Sequence, residues 1–217
     1  MIIGISGRMG SGKNTVGEII QKLCATNNGP NFEQKAFAGK LKTIASLLTG
    51  IPVEKFEDQE FKQTTLSEEW DFADNDAPDN IMTIRMFLQK LGTEAMRDGL
   101  HTNVWVNALF ADYFCKDCGW EEEQKGTIDA CSGYHKLPNW IITDMRFPNE
   151  LEAIELREGI TIKVVRPNMN SLQAMIPAHA SETALDDAEF DYEIINDGEI
   201  VDLIEKVKQI LITEKII

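Results

Sequence analysis

MIIGISGRMGSGKNTVGEIIQKLC, residues 1–24, holds three patterns in succession. Met1–Ser6 is a short apolar run, the mark of a buried strand. Gly7-Arg-Met-Gly-Ser-Gly12 follows at once, too rich in glycine to continue either a strand or a helix. From Lys13 to Cys24 the apolar residues Val16, Ile19, Ile20 and Leu23 recur at helical spacing. The order is strand, glycine loop, helix.

The rest of the chain repeats this alternation. Residues 34–49 read as a short strand running into a helix that Gly50 and Pro52 stop. Residues 83–97 have a helical stripe of Ile84, Phe87, Leu88, Leu91 and Ala95, while Arg85, Gln89 and Gly92 share another face. Asn103 precedes a further helix carrying Trp105, Leu109 and Phe110. NWIITD (139–144) reads as a buried strand, NELEAIELRE (149–158) as a helix, ITIKVVR (160–166) as a strand and DYEIIN (191–196) as the last strand. Ile200, Leu203, Ile204, Val207, Ile210 and Leu211 mark the final helix. Strands alternating with helices predict an α/β fold with a mostly parallel sheet. In such sheets ligands bind at the carboxyl ends of the strands. Three polar clusters fall there: the glycine loop after Ser6, Asp144 to Arg146, and Arg166.

Length and charge narrow the function classes. A chain of 217 residues suits one domain with elaborations. At 43% hydrophobic and 26% charged it is a globular composition rather than a disordered one. The net charge of −15 argues against duplex nucleic acid as the main partner, since affinity there rests on cations that neutralise phosphates. A small anionic ligand held by a few local cations remains compatible with it. No run of ~20 apolar residues predicts a membrane span, and the N-terminus lacks the pattern of a secretory signal. Four cysteines do not make a disulfide scaffold, so a cytoplasmic location is expected. Residues 54–80 stand apart, with ten acidic residues and two lysines, and read as a mobile, solvated surface element, helical in part.

The phosphate chemistry resides in Gly7-Arg8-Met-Gly10-Ser11-Gly12-Lys13-Asn14-Thr15, which fits G-x4-G-K. Glycines let the backbone curl and turn its N–H groups inward on phosphate oxygens. The helix that follows adds its positive N-terminal end, and Lys13 can reach the β- and γ-phosphates of a nucleotide. Asn14 stands where most such loops place a Mg²⁺-ligating hydroxyl, and the hydroxyl comes one residue later, at Thr15. This G-K-x-T form resembles the nucleoside monophosphate kinases, where Mg²⁺ is held largely through water and substrate phosphates. It disfavours a motor or GTPase. Asp144, at the end of an apolar strand, could hold Mg²⁺ through water, and Arg146 could reach a transferring phosphoryl group.

Several blocks together resemble the phage-type deoxynucleoside monophosphate kinases, a branch of the P-loop nucleotide kinases. They are GRMGSGKNT, AGKLK (38–42), RMFLQKLGTE (85–94), VWVNALFADY (104–113), WIITDMRFPNE (140–150), VVRP (164–167), HASETALDD (179–187) and DYEIINDG. The resemblance implies ATP-dependent phosphorylation of deoxynucleoside monophosphates with Mg²⁺. It implies a three-layer P-loop kinase fold with a helical monophosphate-binding lobe, about 50–114, a small insert, about 115–138, and often a homodimer. Gly7, Arg8, Gly10, Ser11, Gly12, Lys13, Asn14 and Thr15 map to the donor phosphates, and Arg166 lies near the donor nucleotide. Lys42, Arg85, Gly92, Thr93 and Trp105 map to the monophosphate site. Asp144 and Arg146 match a D-x-R motif, with Thr15 and Asp144 serving Mg²⁺. His179 and Glu182 fall near the donor or its lid. Trp105 reads either as a platform on which several bases could stack or as plain core.

The chemistry of such a reaction agrees with this residue inventory. A nucleoside monophosphate is already largely dianionic at neutral pH, its second pKa being about 6. Its oxygen attacks without a general base, so the enzyme needs positioning and charge stabilisation. Lys13, Arg85, Arg146 and Arg166 supply cations, and only three histidines are present. Two other readings stay open: a kinase for another small acceptor, such as a sugar or a hydroxy acid, with Asp144 as base, or a nucleotide-binding regulator whose insert recruits a partner. Within the insert, Cys115-x2-Cys118-x12-Cys131-x3-His135 has the spacing of a Cys₃His zinc site. The resemblance does not extend to that segment.

Overall fold

The computed structural model describes residues 1–70, 81–115, 136–167 and 183–217. It divides into two compact units. The first comprises Met1–Ala36 and Phe110–Ile217, the second Phe37–Leu109.

In the first unit the strands are β1 (Ile2–Ser6), β2 (Phe32–Lys35), β3 (Asn139–Met145), β4 (Ile160–Val165) and β5 (Tyr192–Ile195). They form one sheet in the order β2-β3-β1-β4-β5, and every pairing is parallel. Helices α1 (Lys13–Thr26) and α6 (Ile200–Thr213) cover one face. Val16, Ile19 and Ile20 of α1 and Leu203, Val207 and Leu211 of α6 close over Ile3, Ile5, Ile141, Ile162 and Val164. Each such side chain taken from water contributes about 1.5–3 kcal/mol, and this cluster is the main core. Helix α5 (Pro148–Glu155) packs against β1 and β4 and buries Leu151, Ala153 and Ile154. The result is the expected three-layer α/β arrangement, with strand and helix positions close to those that periodicity predicts. β1 is buried at every residue because it lies at the centre of a sheet covered on both faces.

The second unit contains α2 (Gly39–Thr49), α3 (Ile84–Gln89) and most of α4 (Val104–Phe110). Gly50, at φ 73°, ends α2 in the left-handed conformation that glycine accepts at a helix C-terminus. Thr83 caps α3 by accepting from Met86 N at 3.2 Å. From Lys90 to Asp98 the same helix widens into π-helical turns, where the 3.6-residue pattern predicts an unbroken α-helix.

The acidic stretch departs from its expected character. Val53–Glu57, Phe61–Gln63 and Glu68–Trp70 are 3₁₀ turns, and Phe56 among them is 0% exposed. Phe56 joins Ala45, Met82, Ile84 and Phe87 in a second core, with Phe61, Leu66 and Trp70 packed beside it. Backbone bonds from Leu66 N to Met82 O (2.8 Å) and from Ile84 N to Thr64 O (3.0 Å) fasten the segment to the start of α3. Residues 54–70 are therefore an anchored wall of this unit. Charge density hides this in the sequence, because the acids occupy the solvent side of turns whose few aromatics point inward. Residues 71–80 lie outside the described residues.

Among the described residues no helix is long and apolar enough to cross a membrane.

Candidate active site

In the first unit the carboxyl ends of the five parallel strands share one edge, and the glycine loop leaves the central strand there. The β1–β3 register pairs Ser6 with Met145, which brings Asp144–Arg146 level with the start of the loop. The β1–β4 register pairs Ser6 with Lys163, so Arg166 follows on the other side.

The loop's shape depends on glycine at two positions. Gly7 (φ 150°) passes so close to β4 that a Cβ there would stand 2.3 Å from Val164 O. Gly12 (φ 104°) precedes α1, and a Cβ would stand 2.7 Å from Asn196 Nδ2. Any side chain at either position meets both a steric and a conformational penalty. The first turn of α1 has no acidic residue, so its positive end is left uncompensated by its own sequence. Lys13 folds over the loop, donating from Nζ to Gly7 O (2.5 Å) and Arg8 O (2.8 Å). Ser11 Oγ is buried and has no hydrogen-bond partner. Thr15 is half-buried in the first turn of α1, and Asn14 and Gly10 are exposed. A curled backbone, an orphaned buried hydroxyl, an ammonium and a helix N-terminus form a donor set that fits a polyphosphate.

Around the loop, Asp144 is half-buried near the end of β3, and Arg146 is exposed. The turn between them and α5 is held by Glu150, 3% exposed, whose Oε2 accepts from Arg146 N (2.8 Å) and Phe147 N (3.1 Å). Arg166 is exposed directly after β4. Neither Arg146 nor Arg166 makes an ion pair among the described residues. Arg8 Nη2 pairs with Asp186 Oδ2 at 2.9 Å. His179 and Glu182 lie outside the described residues.

Three residues that sequence reasoning did not single out brace this edge. Asn196 Nδ2 donates to Ser11 O at 2.9 Å, fixing the loop from the end of β5. Lys163 Nζ donates to Asp186 O at 2.8 Å, holding the carbonyl of the residue that pairs with Arg8. Asp186 completes the set. The blocks HASETALDD and DYEIINDG contain Asp186 and Asn196, yet contacts across 178 and 185 residues leave no local pattern. Beyond Asn196, Asp197 pairs with Lys206 at 2.8 Å, and that hydrogen bond holds its carboxyl below the usual range.

The second unit holds the residues assigned to a monophosphate. Arg85, half-buried on α3, donates from Nη2 to Gln59 Oε1 at 3.2 Å. The Gln63 amide, turned with its oxygen toward the guanidinium, accepts from Nε (3.1 Å) and Nη2 (3.2 Å). Lys42 pairs with Glu57 at 2.6 Å. Gly92 is buried in the π-helical stretch, where a Cβ would stand 2.9 Å from Leu41 Cδ2. Thr93, half-buried, follows it. Trp105 is 5% exposed and donates from Nε1 to Gly92 O at 2.8 Å. Of its two readings, the geometry favours the packed one, with the indole N–H holding the Gly92 carbonyl.

In the insert, Cys115 is buried. Cys118, Cys131 and His135 lie outside the described residues. Among the described residues no group of three or more His, Cys, Asp or Glu could hold a metal ion, and the zinc reading gains no support from the structure.

Comparison with known proteins places these features in context. A family model described as deoxynucleotide monophosphate kinase matches residues 34–207. A putative deoxynucleotide monophosphate kinase of Acanthamoeba polyphaga mimivirus is 28% identical over 196 residues, covering 85% of this chain and 82% of the relative. The deoxynucleotide monophosphate kinase of Enterobacteria phage T4 is 28% identical over 129 residues, 59% of this chain and 45% of that protein. Among solved structures, shikimate kinase from Acinetobacter baumannii in complex with shikimate aligns with a TM-score of 0.46 at 16% identity, over 100% of this chain and 95% of that one.

Proposed function

The chain belongs to the deoxynucleotide monophosphate kinase family, and on that premise we propose how its residues carry the reaction. The reaction is transfer of a phosphoryl group from ATP to a deoxynucleoside monophosphate, giving the diphosphate. The observation that carries the assignment is the family match over residues 34–207. The glycine loop stands outside that match and supports it independently.

The first unit takes the donor. Backbone N–H groups of residues 7–13 and the N-terminus of α1 receive the phosphates, and the Ser11 hydroxyl gains the partner it lacks. Lys13 exchanges the carbonyls of Gly7 and Arg8 for phosphate oxygens and follows the charge that moves with the γ-phosphoryl group. Arg146 and Arg166, exposed at the same edge, add positive charge for the equatorial oxygens. Further positive charge to offset the donor phosphates would come from Mg²⁺. Thr15 and Asp144 are the residues that would hold it, through water. An acceptor phosphate already ionised at neutral pH leaves no proton for a general base to remove. A panel assay of ATP consumption tests the assignment. Turnover is expected with deoxynucleoside monophosphates and not with sugars, hydroxy acids or water alone. Turnover confined to a hydroxyl acceptor would overturn it.

Asp144→Asn removes one negative charge near the metal. The expected result is a lower kcat with the Mg²⁺ dependence moved to higher concentration. An unchanged Mg²⁺ titration would reduce Asp144 to a structural role at the end of β3.

The second unit takes the acceptor, with Arg85 as its anchor. Arg85→Ala should raise the KM for the monophosphate at least tenfold, since a charge-assisted hydrogen bond contributes about 1.5–3 kcal/mol, and leave the KM for ATP nearly unchanged. A rise in the ATP KM alone would move Arg85 to the donor's side of the reaction.

A further inference from the structure

We propose that Gln59 and Gln63 are positioning residues for the acceptor, holding Arg85 in place through neutral amides so that its positive charge stays available to the monophosphate dianion. The inference rests on the reading of Arg85 as the acceptor's anchor, and goes beyond it in naming how that anchor is kept uncompensated.

Three observations carry it. First, Arg85 makes no ion pair among the described residues. Its Nε and Nη2 are engaged by carbonyl oxygens of Gln59 and Gln63 at 3.1–3.2 Å. Second, these two glutamines stand in Glu57-Asp-Gln59-Glu-Phe-Lys-Gln63, where Glu57, Asp58 and Glu60 surround them in sequence. In the most acidic part of the chain, the side chains hydrogen-bonded to Arg85 are uncharged. Third, Lys42 in the same unit shows the other outcome, its ammonium paired with Glu57 at 2.6 Å.

The physical difference is simple. A carboxylate orients a guanidinium and also cancels its charge, leaving little net attraction for an incoming anion. An amide oxygen orients it through the same hydrogen-bond geometry and cancels nothing. Two amides on Nε and Nη2 hold the plane of the guanidinium and leave the N–H groups of Nη1 for phosphate oxygens. The buried Phe56 and the packed Phe61, which flank Gln59 in sequence, fix the turns that present the glutamines.

The test is a steady-state series on the full chain, with deoxynucleoside monophosphates and ATP varied separately and thermal stability measured for each variant. Gln63→Glu, nearly isosteric, converts the amide pair into an ion pair on the same two nitrogens. Its expected effect is a rise of about three- to fivefold in the monophosphate KM, the upper part of the span of an exposed ion pair, with ATP KM unchanged and stability equal or higher. Gln63→Met, which keeps the length and loses the acceptor, should raise the same KM by a smaller factor. In an Arg85→Ala background, Gln63→Glu should add little, because the group it neutralises is gone. If Gln63→Glu leaves the monophosphate KM within twofold while Arg85→Ala raises it, the positioning role is overturned and the anchor stands. If Gln63→Glu is equally harmful with and without Arg85, the added charge acts on the acceptor directly and the role is likewise overturned. If Arg85→Ala leaves that KM unchanged, the anchor falls and the inference falls with it.

Discussion

Lys13→Ala should lower kcat by about 10²–10³-fold, on the order of 3–4 kcal/mol of transition-state stabilisation, in a protein that remains folded. The ammonium is held within the loop at 2.5 Å from Gly7 O and 2.8 Å from Arg8 O. On the proposed reading it exchanges these two carbonyls for phosphate oxygens as the donor binds, before the reaction step. Its loss removes a positive charge from a site where charge migrates between oxygens. The cost to the fold is small, because Gly7 is half-buried, Arg8 is exposed, and water can replace the donor to either carbonyl. Lys13→Arg should not restore the rate, since a planar guanidinium cannot take the place of a compact ammonium on a long stem. The measurement is kcat with saturating deoxynucleoside monophosphate, beside a thermal melt. Wild-type turnover in a folded Lys13→Ala protein would refute the donor assignment.

Phe56→Ala should cost about 3–5 kcal/mol, the usual penalty for emptying a large buried aromatic site. A domain has only about 5–15 kcal/mol in total, so the second unit is expected to lose most of its cooperative unfolding. Phe56 is fully buried among Ala45, Met82, Ile84 and Phe87. Phe56→Leu, which keeps most of the apolar volume, should cost less than half as much as Phe56→Ala. Hydrogen exchange locates the effect: faster exchange is expected across residues 37–109 and not in β1, β3 or β4. The alternative is explicit, since a substitution on a merely solvated charge run changes stability by less than about 0.5 kcal/mol. A value that small would return residues 54–70 to the role their charge suggests.

The two variants also mark what could be read from the residues in order and what could not. The alternation of apolar runs with helical stripes determined a parallel α/β sheet, because β-strand and helix periods are local properties of the backbone. Glycine spacing marked the loop between β1 and α1 for the same reason, since Gly7, Gly12 and Lys13 lie within seven residues, whereas its bracing by Asn196 is long-range. Family resemblance in LQKLGTE and TDMRFPNE supplied the acceptor class, which no periodicity contains. Tertiary structure alone decided the rest. Phe56 was hidden because ten acids from 54 to 80 dominate the local average, whereas burial depends on which face a 3₁₀ turn presents to α2 and α3. The fate of each cation was equally invisible. Lys42, Arg8 and Arg85 look alike in sequence, but Glu57 neutralises the first, Asp186 pairs with the second, and two glutamines hold the third without neutralising it. Charge compensation is set by distances of about 3 Å between residues 15 to 178 positions apart, and only the folded chain brings those partners together.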